Sequence, residues 1–193
     1  MKNLKRRSGL AWLALSLALV FGLLTLSVGA VNGELSGDGS ADAPYEIADA
    51  ADLAAFRDLV NATPSSTANA VLVNDIDLEN KDWTRISDFK YVTEAYAGTF
   101  DGAFHTIKGL NVNATTSDQG LFGTIGAIIT DKKVTAYATI KNLSVEGTVS
   151  STNNYVGGIA GRIVNGGKIE NCSFTGTVSS SGKNANIGGI VGY

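Results

Sequence analysis

The sequence predicts an all-β fold: a parallel β-helix (β-solenoid) with an N-terminal α-helical cap, following a signal peptide. Three observations predict it. First, a phrase recurs: residues 140–149 read IKNLSVEGTV and residues 169–178 read IENCSFTGTV. A diverged copy, IKGLNVNATT, stands at 107–116, so the copies start 33 and 29 residues apart. Second, each copy is followed by a glycine block, GLFG at 120–123, VGGIAG at 156–161 and IGGIVG at 187–192. Third, 23 Gly stand against 2 Pro. That balance suits many tight turns joined to ladders that cannot spare an N–H. A period near 30 is the mark of a chain that lays each repeat on the last. An antiparallel sandwich is the rival, but it has no need of phrases that recur in register.

The first 30 residues read as a signal peptide. Lys2, Lys5, Arg6 and Arg7 precede an almost unbroken apolar run, Leu10 to Val28, and Val28-Gly29-Ala30 supplies small residues for cleavage. Nineteen apolar residues could also just span a bilayer as an anchor; the small-residue site favours cleavage. Any membrane contact is expected through this segment alone. Without it the chain has 11 basic and 18 acidic residues, a net of −7. That charge argues against nucleic acid and anionic membrane surfaces as partners. Cys172 is the one cysteine, so no disulfide forms within the chain; it reads as a small buried hydrophobe.

Residues 31–69 read as a polar N-terminal segment and a capping helix. Pro44 to Ile47 suggests a short strand, and Asp49 then offers an N-cap. Leu53, Phe56, Leu59 and Val60 form one apolar stripe, closed at Pro64. Such a helix would cover the open end of a stacked fold. Residues 70–193 read as the β-helix itself. Ala70 to Ile76 and Trp83 to Ile86 look strand-like, 87–97 looks like a loop, and 98–102 is a strand running into a turn. Residues 127–138 read as an insertion that loops out. Aligning the copies puts Leu110, Leu143 and Cys172 in one column and Val112, Val145 and Phe174 in another. Gly109, Asn142 and Asn171 share a third, read as a recurring bend with a possible amide ladder. Gly147 and Gly176 mark a corner.

These residues resemble the GLUG motif of bacterial surface and secreted proteins. The resemblance rests on GLFG at 120–123, GGIAG at 157–161 and GGIVG at 188–192, each after its Ile-led phrase. NDIDL at 74–78, Trp83, GTFDGAFHTIKGL at 98–110 and GDGSADAPYEIADAADLAAF at 37–56 extend it over about 37–193. It implies an exported, adhesin-like β-helical repeat protein, secreted or at the cell surface. Its motif positions are structural: Asn142, Asn171, Gly120, Gly123, Gly157, Gly158, Gly161, Gly188, Gly189 and Gly192. Some GLUG repeats accompany a separate zinc domain in IgA-specific metallopeptidases. The chain stops at Tyr193 inside a repeat, so a fragment of a longer protein is expected, with an open end that self-associates.

Catalytic chemistry finds little support. His105 is the only histidine, whereas a zinc hydrolase helix needs two with a glutamate, and any Ser-His-Asp triad would require His105. Asp75, Asp77 and Asp101 could bind calcium or act on sugar, but they suit turn and ladder contacts better. Trp83, Tyr91, Tyr96, Phe100 and Phe104 form an aromatic zone, read mainly as core filling. Sequons headed by Asn61, Asn113, Asn142 and Asn171 are discounted as glycosylation sites. The expectation is therefore a non-catalytic module with no cofactor and no metal. Its partner would be a host protein, matrix or glycan, met by a sheet face or by loops 87–97 and 127–138. The alternative is the noncatalytic N-terminal region of a secreted peptidase or polysaccharide-active enzyme.

Overall fold

The computed structural model describes residues 35–89 and 91–193; the predicted signal peptide lies outside them. The described chain is mostly β-strand with one α-helix. Strand β1 (Tyr45–Ile47) leads into helix α1 (Ala50–Ala62). Asp49 caps the helix as its sequence position predicts: its side chain accepts from the N–H groups of Ala51 and Asp52. Leu53, Phe56 and Val60 are buried, while Leu59 is only half-buried at the stripe's margin.

Strands β2 (Ala70–Leu72) and β3 (Ile76–Asp77) follow. The expected single run 70–76 is broken at Val73–Asp75 because that stretch turns a corner. The Asn74 amide donates to the Ala48 carbonyl, and Asp75 reaches across to Thr106. Residues 83–86 form no strand either. The Trp83 N–H donates to Asn111 and the Ile86 N–H to Leu121, so the segment crosses from one neighbour to another. Next come β4 (Thr99–Asp101), β5 (Thr106–Ala114), β6 (Phe122–Ile125), β7 (Ala127–Thr130) and β8 (Lys133–Tyr137). After them run β9 (Thr139–Lys141), β10 (Ser144–Ser151), β11 (Val156–Gly157) and β12 (Ala160–Ile163). The chain finishes with β13 (Lys168–Glu170), β14 (Ser173–Ser180) and β15 (Ile187–Gly188).

Three sides of the structure are walls of parallel strands. One is the sheet β1-β2-β4-β9-β13, another β14-β10-β5-β3. The third consists of the short pairs β6-β12 and β11-β15, extended by a bridge from Ala160 to Val191. The insertion at 127–138 is the antiparallel hairpin β7-β8, as its place between repeats suggests.

Register corrects the alignment of the first copy. The two later copies stack residue for residue, Val145 on Phe174 and Val149 on Val178. Against β5, however, Val145 pairs with Ile107 and Val149 with Val112. Ile140 sits on Phe100, not on Ile107. The first copy carries two extra residues in its turn at 102–105 and one more at a bulge. That bulge is Gly109, whose φ of +70° only glycine adopts freely. Gly109 therefore does not share the column of Asn142 and Asn171.

The core runs down the middle of the three walls. Ile107, Val112, Ile140, Leu143, Val145, Val149, Val156 and Ile159 are buried between them. Beside α1 it widens into an aromatic cluster of Phe56, Tyr96, Phe100 and Phe122. The two ends of loop 87–97 are built into the core, with Ser87, Ala95, Tyr96 and Ala97 buried, while Asp88, Tyr91 and Thr93 between them are exposed. The Ser87 hydroxyl donates to Thr124 and accepts from the Tyr96 N–H, stitching both ends of the loop to the core. No helix among the described residues is long and apolar enough to cross a membrane.

Candidate functional site

The motif glycines stand at two corners of the stack. Gly157 pairs with Gly188, and the Gly157 N–H donates to Gln119, which brings Gly120 alongside. Gly123, Gly161 and Gly192 form the second column, each one residue beyond the paired Phe122, Ala160 and Val191. At both corners the chain of one layer presses on the backbone of the next. A methyl on Gly161 would lie 2.2 Å from the Asp118 carbonyl carbon, and one on Gly158 would lie 2.2 Å from the Phe174 ring. Gly189 occupies the same column as Gly158, yet a methyl there would meet nothing within 4 Å.

Asn142 and Asn171 form an amide ladder. Asn171 Nδ2 donates to Asn142 Oδ1 at 3.2 Å, and Asn142 Nδ2 donates to Asp101 Oδ1 at 3.0 Å. Both asparagines have φ near +50°, a region where a short amide side chain is tolerated. Partial burial works to raise the Asp101 carboxyl. The Ala103 N–H, the Asn142 amide and Lys141 outweigh it and hold that carboxyl below the usual carboxylate value. Asn142→Gly keeps the backbone angle and removes the ladder, so it should cost about 1 kcal/mol. Asn142→Ala should cost about 1 kcal/mol more, because alanine also resists the left-handed angle. Thermal melts of the two variants check this; the reverse order would refute it.

The acids of the first layer are tied into turns. Asp75 Oδ1 accepts from the Thr106 N–H at 2.9 Å and lies 3.1 Å from His105 Nδ1. Asp77 accepts from the Glu79 N–H and pairs with Lys108. Among the described residues, no three of His, Cys, Asp or Glu come close enough to hold a metal ion. Cys172 is half-buried rather than buried, and that burial pushes its thiol up.

The aromatic zone divides. Trp83, Tyr96 and Phe100 are buried, as core filling requires. Tyr91 and Phe104 are not: they are 57% and 80% exposed. The core reading is corrected for these two: Tyr91 stands at the head of the short 3-10 helix Val92–Glu94 and Phe104 in the turn at 102–105, both on the surface.

One polar network escaped the sequence altogether. Asp118, Arg162 and Arg85 meet at the edge of the third wall. Arg162 grips the Asp118 carboxylate at 2.9 and 3.0 Å, and Arg85 donates to Thr116 and Ser117 and pairs with Asp88. Burial pushes the Asp118 carboxyl up against the pull of Arg162 and Arg85. Gly123 leaves room for Arg85, whose Cδ lies 2.6 Å from where a methyl would stand. Charges this far apart in the chain carry no local signal.

With this geometry in view, residues 152–179 match the GLUG motif family. The chain carries a GLUG motif. The matched stretch takes in Gly157, Gly158 and Gly161 at the corners, and Asn171 in the ladder. The chain is also 35% identical over 164 residues to halomucin from Haloquadratum walsbyi. That match takes in 81% of this chain and 2% of halomucin. Among solved structures, a candidate immunoglobulin A1 protease from Bacteroides ovatus superposes with a TM-score of 0.55 at 22% identity. The superposition covers 80% of this chain and 60% of that one. The chain thus spans less than two thirds of both proteins. At 22% identity the superposition is a likeness of fold.

Proposed function

We propose that the stacked layers form a parallel β-helix, and that the chain is an exported, non-catalytic module whose walls serve as an adhesive or structural display surface. The observation that carries this reading is the in-register stack β5-β10-β14 with its column of paired inward side chains. Each repeat spends its apolar residues on its neighbours, which leaves extended walls rather than a deep cleft. The outward columns Asn111-Thr148-Thr177 and Asn113-Ser150-Ser179 give one wall two uncharged, hydrogen-bonding rows, beside the charged Glu146, Lys108 and Asp77 of the same sheet. Host protein, matrix or glycan are the partner classes such a wall suits. The sole histidine is paired with Asp75 on a strand edge, and the neighbouring acids are occupied by backbone N–H groups, which supports the non-catalytic reading. The likeness to a candidate immunoglobulin A1 protease supports a second reading, in which this chain is the noncatalytic region of a secreted peptidase.

Labelled, purified chain applied to surfaces coated with mucin, collagen or polysaccharide tests the first reading. Saturable binding to at least one coat, with no cleavage of any, is expected. Binding to none, or hydrolysis of the coat, would overturn it.

A further inference from the structure

The most exposed large hydrophobic side chain among the described residues is Phe104, and it occupies a costly position. Residues 102–105 make a turn closed by the His105 N–H donating to the Gly102 carbonyl at 2.7 Å. Both central residues are left-handed, Ala103 at φ 47° and Phe104 at φ 67°. Turns of this kind favour Asn, Asp and Gly. The comparable pairs Glu79-Asn80 and Asp131-Lys132 each contain such a residue; Ala103-Phe104 does not. A bulky side chain in this region is an outlier that folding alone does not select. Burial cannot compensate, since the ring lies in solvent.

The turn is also rigid. The Ala103 N–H donates to Asp101 and the Phe104 N–H to the Asn142 carbonyl at 2.8 Å. Next to the ring in sequence stand His105 and Thr106, both bound to the Asp75 carboxylate. Both of those contacts fall on Asp75 Oδ1, and the side chain is 70% exposed, so Oδ2 is open to an incoming donor. The Thr106 N–H and His105 hold the Asp75 carboxyl below the usual range, so it is an ionised acceptor at neutral pH.

We propose that Phe104 is the stacking platform of a binding site for neutral glycans, with Asp75 and His105 beside it as hydrogen-bonding groups. This rests on the display reading above and names the partner class for one place on the surface. A hexose ring has an apolar C–H face and a rim of hydroxyls. An exposed aromatic ring on a hydrogen-bonded turn, next in the chain to His105 and the Asp75 carboxylate that His105 holds, offers a group for each. Uronic and sialic acids are disfavoured, because Asp75 and Asp77 are anionic and Lys108 is already paired with Asp77. A protein partner would look for a contiguous apolar patch, whereas Phe104 is flanked by Gly102, Ala103, His105 and Thr106.

Electrophoresis of the purified chain through native gels containing a β-glucan, a mannan, a galactan or polygalacturonate tests the site. Phe104→Gly is the informative variant, since glycine relaxes the turn while deleting the ring. The wild type should be retarded by at least one neutral polymer and not by polygalacturonate. Phe104→Gly should bind about tenfold more weakly or less, with an unchanged or higher Tm. Equal binding by the variant, no retardation by any neutral polymer, or a fall of several degrees in its Tm would each overturn the proposal. If the wild type adheres to coated surfaces and Phe104→Gly does so equally, the display reading stands and this site falls. If the wild type adheres to nothing, both fall.

Discussion

Gly161→Ala should lower the stability of the chain by about 3 kcal/mol, at the upper end of what overpacking costs. The added methyl would lie 2.2 Å from the carbonyl carbon of Asp118, 2.4 Å from its Cα and 2.5 Å from the Gln119 nitrogen. All three are backbone atoms. They are held by the Gln119 and Asp118 N–H groups, which donate to Tyr155 and Asn154 in the next layer. A side chain could swing aside, but a backbone segment hydrogen-bonded to its neighbour moves only with it. Displacing Asp118 would also pull its carboxylate off Arg162. The smaller entropy of an unfolded alanine returns at most about 1 kcal/mol. For a domain of this size, the net loss corresponds to a Tm lower by about 6–12 °C. Gly189→Ala is the internal control. It alters a glycine of the same motif in the third layer, where nothing lies within 4 Å, so its effect should stay within about 0.5 kcal/mol. Guanidinium melts of the two variants decide the matter. Equal effects would mean that the motif glycines serve something other than the close approach of layers.

That contrast shows what a sequence can and cannot convey about this molecule. Repetition made the stacking legible. Two phrases that agree at Ile140 and Ile169, Asn142 and Asn171, and Gly147 and Gly176 could be superposed by eye, and the structure pairs them residue for residue. The third copy misled because its differences are insertions. Two residues in the turn at 102–105 and one at Gly109 slide the apparent columns. Period-two strands look equally plausible in either register. Turn type was hidden for a related reason: nothing in GAFH announces a left-handed pair, since neither Ala nor Phe favours one. The exposure of Phe104 was hidden with it. The Asp118-Arg162-Arg85 network was invisible because its members meet only after three walls have closed. Helix α1 was the easiest element, because an N-cap and an apolar stripe are both local signals.

The same helix carries the other large effect. Phe56→Ala should cost about 4 kcal/mol, within the range for emptying a buried aromatic site. Phe56 has no solvent exposure, and its ring lies 5.8 Å from Phe100, 6.2 Å from Tyr96 and 6.4 Å from Tyr45. It is the one ring of α1 that reaches this cluster. The surrounding residues are held by strands and by the Tyr96 hydroxyl donating to Ala68, so they cannot collapse far into the space left behind. A helix of 13 residues is marginal in water without tertiary packing. Loss of its anchor should therefore loosen α1 before the walls. Amide exchange would then speed up at Val60 and Leu59 at denaturant concentrations where Val145 and Val149 stay protected. Leu59→Ala, at the half-buried edge of the stripe, should cost far less. If Phe56→Ala instead costs under about 1 kcal/mol with α1 still protected, the helix is held by its own cap and stripe, and it does not act as the cover for the aromatic end of the core.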